Sequence, residues 1–97
     1  MNVDELKDFF EANNNEHLKF ERVENKKSKR ADVHAFILLD SLVVDDEADL
    51  VGAAEHDIIY LPDLENVCPH ITEEQALELI RCGISIDSSL ECFFSFV

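Results

Sequence analysis

Two stretches carry apolar residues at helical spacing. In residues 72–82, Ala76, Leu77, Leu79 and Ile80 fall on one arc at 100° per residue, and Glu74, Gln75, Glu78 and Arg81 fall on the opposite arc. Glu73 lies in the apolar arc, in a first turn that can splay toward water. Both ends are marked. Thr72 with Gln75 has the spacing of a capping box, and Gly83 suits the left-handed residue that stops a helix. Glu73 and Glu74 lie at the positive end of the helix dipole, and Arg81 at the negative end. Residues 2–12 repeat the design. Val3, Leu6, Phe9 and Phe10 share a third of the circumference, Asp4, Lys7, Asp8 and Glu11 lie opposite, and Asn2 with Glu5 has capping-box spacing. Asn13, Asn14 and Asn15 end this helix by competing for backbone hydrogen bonds.

Period two marks the strands. Ile58–Leu61 is β-branched and aromatic and stops at Pro62, and the small residues at 52–54 predict a bend or a close backbone approach. Leu90, Cys92, Phe94 and Phe96 alternate with Glu91 and Ser95. Placing Ile84 and Ile86 on the same core face pairs Ile86 with Leu90 and Ile84 with Cys92 around a three-residue loop, Asp87-Ser88-Ser89. Residues 17–23 read as a short strand, 25–30 as a basic loop, and 63–67 as one helical turn before Pro69. Residues 32–44 are apolar almost all round, interrupted by His34, Asp40 and Ser41. They fit a buried helix capped by Asp32 or, over 33–39, a buried strand, and thirteen residues is long for a strand. The expectation is one α+β domain over residues 1–97. Two to three amphipathic helices pack on a small, mostly antiparallel sheet that includes a C-terminal β-hairpin.

Charge changes the picture. The net is −14 over 97 residues, and it is unevenly placed. Residues 1–31 hold seven acids and seven bases, whereas residues 32–97 hold fifteen acids and one base, Arg81. Such a surface repels nucleic acid and anionic membrane and attracts basic proteins. Solubility is the simpler explanation of the same charge. The basic hexamer 25–30 would suit nucleic-acid contact, but the remaining charge opposes that approach. An acidic N-terminus with no apolar signal segment, and three cysteines that leave an odd thiol in any disulfide scheme, point to an intracellular protein.

Motifs for chemistry are sparse. Glu55-His56-Asp57 sets an imidazole between two carboxylates, yet strand alternation would send His56 to the opposite side. Cys68-Pro69-His70 with Cys82 offers metal donors at a spacing unlike common zinc patterns. Asp45, Asp46, Glu47 and Asp49 crowd one loop, but the glycine and spacing of a calcium loop are missing. No cofactor is expected. Arg30–Phe36, Ala53–Leu61 and Arg81-Cys82-Gly83 resemble pieces of short, acidic, uncharacterised proteins carried by phages and other mobile elements. That resemblance implies a genetic setting and no reaction.

The leading expectation is therefore a non-enzymatic protein whose acidic face binds the basic surface of another protein, one that ordinarily holds nucleic acid. The face would comprise Asp45, Asp46, Glu47, Asp49, Glu55, Asp57, Glu74 and Glu78. An immunity-type inhibitor of a basic toxin shares that composition. The competing class is a small metalloprotein or enzyme using His56, Cys68 and His70.

Overall fold

The computed structural model describes every residue except Asp46, Ala48 and Val97. In chain order the elements are α1 (Val3–Ala12), α2 (Ala31–Leu42), β1 (Ala53–Glu55), β2 (Ile58–Asp63), α3 (Leu64–Val67), α4 (Glu73–Arg81), β3 (Ser85–Asp87) and β4 (Cys92–Phe96). The fold is α+β. The strands form one sheet in the order β1-β2-β4-β3, with every neighbouring pair antiparallel.

Both capping boxes form. The Glu5 amide donates to Asn2 Oδ1 at 2.8 Å and the Asn2 amide to Glu5 Oε1 at 3.0 Å. At α4 the Gln75 amide donates to Thr72 Oγ1 at 3.2 Å and the Thr72 amide to Gln75 Oε1 at 3.0 Å. Asn13 closes α1 with its side-chain amide on the Phe9 carbonyl, and Gly83 follows α4 at φ 90°. The apolar faces meet in one core. Leu6 and Phe10 of α1, Ala35, Leu39 and Leu42 of α2, and Ala76, Leu79 and Ile80 of α4 pack with Leu61, Leu64, Val67, Ile84 and Phe93.

Four expectations need correction. Residues 17–23 form no strand. Two 3-10 turns, Asn14–Glu16 and Phe20–Arg22, flank Leu18 at φ 66°. The Leu18 amide donates to the Ile80 carbonyl at 3.2 Å, a second bond to an oxygen that also accepts from the Gly83 amide at 3.0 Å, so this segment is tied to the end of α4 instead of joining the sheet. Residues 32–44 are helical from Ala31 to Leu42, but the N-cap is Arg30, which makes no side-chain cap bond. Asp32 lies in the first turn, where Oδ1 accepts from the next amide, Val33. Pro62 does not end β2. The strand runs on to Asp63, and its register with β4 shifts between Tyr60 and Asp63, an irregularity that accommodates a residue with no amide donor.

The C-terminal hairpin forms with a different register. Ser85 pairs with Phe94, Ile86 with Phe93 and Asp87 with Cys92. Asp87 Oδ1 accepts from the amides of Ser89 and Leu90 at 2.9 and 3.0 Å, and Glu91 turns the chain at φ 54°. This wider loop changes the phase of β4, and a one-residue change of phase reverses every side chain. Phe93 is fully buried beside Ile86, while Leu90 and Phe96 are exposed.

Candidate acidic interface

The expected acidic residues come from three places. Asp45 begins the loop after α2. Its amide donates to Asn66 Oδ1 at 3.0 Å, the Val44 amide donates to the Asn66 carbonyl, and Asp45 Oδ1 accepts from the Glu47 amide. These bonds tie the loop to α3. Asp45, Glu47 and Asp49 are all exposed, and Asp46 lies outside the described residues. Glu74 is exposed in the first turn of α4. The helices α2 and α4 run antiparallel, since His34 meets Glu78 while Ser41 and Gln75 line the same pocket. The end of α2 and the start of α4 therefore lie at one end of the helix pair. Asp40, Asp45, Glu47, Glu73 and Glu74 share that end, and Glu65 joins them from α3.

Glu55 and Asp57 lie elsewhere. Glu55 pairs with Ile58, so His56 and Asp57 are the two-residue turn of the β1–β2 hairpin, with His56 at φ 52°. All three side chains are exposed. The apparent triad is a turn, not a strand with alternating faces. Five residue steps along β2 separate this turn from α3, about 17 Å.

Glu78 is not a free outer carboxylate. His34 is 2% exposed, and its Nε2 lies 3.2 Å from Glu78 Oε2. Its Nδ1 accepts from the Lys27 amide at 3.0 Å. An acceptor at Nδ1 fixes the proton on Nε2, so the ring donates to Glu78. Phe20 packs edge-on against the imidazole at 5.8 Å. One surface pocket, about 350 Å³, includes His34, Glu78, Lys27 and Gln75. The pair has the form of an acid–base dyad, but both ring nitrogens are engaged. Its work is to hold the basic loop against α2 and α4. The sequence signal for this site was a lone histidine inside an apolar run, since a buried imidazole needs partners. Helical phase alone placed Glu78 outward because it does not register α2 packed on that flank.

A second cluster surrounds Arg81. Its Nη2 donates to Glu16 Oε1 at 3.2 Å, its Nη1 donates to the Arg22 carbonyl at 3.3 Å, and Arg22 grips the same carboxylate at 2.9 Å. Burial alone would raise the Glu16 carboxyl, but hydrogen bonds from Arg81 and Arg22, with their charges, outweigh it and hold the group below its ordinary value of 4.5. Arg81, the single base after residue 31, therefore faces the N-terminal segment rather than its acidic neighbours.

The thiols are separate and buried. Burial, with the Glu78 charge added, pushes Cys82 up to about 12. Burial, then Asp87 and Asp63, raises Cys92. Among the described residues, no group of three or more His, Cys, Asp or Glu side chains is placed to hold a metal ion, so Cys68, His70 and Cys82 do not form such a set. No described helix is long and apolar enough to cross a membrane.

Comparison with known proteins returns nothing: no family model, curated protein or solved structure matches the chain.

Proposed function

We propose that this chain is a non-enzymatic acidic binding protein that occupies the basic surface of a nucleic-acid-binding protein. The observation that carries this reading is the distribution of unpaired carboxylates. Asp40, Asp45, Glu47, Asp49, Glu65, Glu73 and Glu74 are exposed around the end of α2 and the start of α4, while Arg81 is drawn away to Glu16. Solubility alone would accept any arrangement of charge. Here Arg30 stands at the N-cap of α2 and Asp40 in its last turn, both against the helix dipole, although Asp32 in the first turn is with it. The scale also fits. Fourteen net charges equal those on about 24 Å of duplex, and the molecule measures 30 × 27 × 24 Å.

The test compares two charge-reversal sets. Asp45→Lys, Glu47→Lys and Glu74→Lys are expected to leave the fold intact and to weaken binding to a basic protein captured from the source cell. Duplex DNA is expected to compete for that capture. Binding should fall steeply between about 0.01 M and about 0.15 M salt as the screening length shrinks. Asp4→Lys with Asp8→Lys should matter much less, because that part of the chain is already neutral. Equal small effects from the two sets, with a flat salt response, would assign the charge to solubility.

A further inference from the structure

The face of the sheet turned away from the helices carries an apolar stripe closed at both ends by carboxylates. Directly paired residues of antiparallel strands share a face. The register therefore sets Glu55, Ile58 and Phe96 in one row, and Ala53, Tyr60, Phe94 and Ser85 in the next. The last row holds Asp63, Cys92 and Asp87. Cys92 is itself buried, which is the main reason its thiol is raised, and the Asp87 and Asp63 charges that add to the rise stand in the same row. Ile59, Ile86 and Phe93 point the other way into the core, whereas Ile58, Tyr60, Phe94 and Phe96 are not among the residues packed there. Phe96 is 64% exposed and makes an edge-to-face pair with Phe94 at 5.4 Å.

We infer that this face is the docking surface for a cationic amphipathic helix of a partner protein, an inference that rests on the partner being basic. The aromatic rows would take the apolar stripe of that helix. Glu55 at one end, with Asp57 in the adjoining turn, and Asp63 with Asp87 at the other would take its lysines and arginines. Arginine also stacks well on Tyr60, Phe94 and Phe96. No lysine or arginine stands in these rows to oppose such a charge. Size favours a single helix. Four strands span about 14 Å, the rows extend about 13 Å, and a helix with its side chains is about 10 Å across. A second copy of this chain fits poorly. It would bring two carboxylate rims together at a net charge of −14 each, whereas a cationic helix meets the same rims with opposite charge.

The probes are a synthetic helix of about 18 residues with leucines on one face and lysines on the other, and an oligolysine of equal charge. Amide chemical shifts of the labelled protein locate each one, and titration gives its affinity. The amphipathic probe is expected to shift Glu55, Ile58, Tyr60, Phe94 and Phe96, and to bind more tightly than oligolysine. Phe96→Ser should weaken it by about tenfold or more while leaving oligolysine binding unchanged. Glu55→Lys should weaken both probes. Phe96 is exposed, so an unchanged melting curve is expected and shows that the variant is folded. Shifts confined to residues 45–49, 65, 73 and 74, or equal affinity for the two probes, would overturn the docking surface and leave the acidic reading standing. Failure of both probes to bind at low salt would sink the acidic reading and this inference together.

Discussion

Phe93 and Phe96 stand three residues apart on β4; one is fully buried and the other is 64% exposed. Phe93 meets Phe10 of α1 at 5.7 Å and belongs to the core, while Phe96 meets Phe94 on the open face. The same contrast runs along β2, where Ile59 packs inward and Ile58 and Tyr60 line the outer rows. Both faces carry aromatic and β-branched residues, so a phenylalanine or isoleucine taken alone does not say which face folds the protein. What differs is the company. The inner face has α1 and α3 packed on the sheet, and it joins the one core that α2 and α4 complete. The outer face has carboxylates at its margins, and apart from the buried Cys92 its apolar side chains have no place in the core. An apolar surface that folding leaves unused is available for recognition.

Truncating the two phenylalanines gives the sharpest test of that contrast. Phe93→Ala should cost about 3–5 kcal/mol through the cavity it leaves, and Phe96→Ala should stay within about 0.5 kcal/mol. Denaturant midpoints compare them directly, and similar losses would mean that both faces are structural.

The next effect belongs to the helix side. Gly83 sits at φ 90°, and a Cβ there would lie 2.5 Å from Leu18 Cδ2. Leu18 is exposed and can swing aside, so the cost of Gly83→Ala is the backbone conformation, about 1–2 kcal/mol by chemical denaturation. Thr72→Ala should cost about 1 kcal/mol through loss of the α4 cap, read the same way.

The smallest effect is a pH dependence. The Glu16 carboxyl is held below its ordinary value of 4.5 in the folded state. The stability it contributes is therefore present above that value and is lost as pH falls through the lower folded value. Glu16→Gln should remove this component of the acid limb of a stability–pH curve. An unchanged acid limb would show that the Arg81–Glu16 contact does not anchor the N-terminal segment.

Local signals were sufficient wherever a segment carried its own stop and start. Thr72 with Gln75, Asn2 with Glu5, and Gly83 define their helix ends through bonds or dihedrals within a few residues, so spacing alone located α1 and α4. The unequal charge of the two parts of the chain is likewise a property of composition. Tertiary structure decided the rest, because each remaining choice depends on a distant partner. Residues 17–23 lie across the end of α4, since the Ile80 carbonyl takes the Leu18 amide. Glu78 turned from an outer carboxylate into the partner of His34 because α2 packs beside it. The loop from Ser88 to Glu91 set the phase of β4 and sent Phe93 rather than Phe94 into the core. Alternation shows that a strand has two faces, but only the packed helices determine which of them is inside.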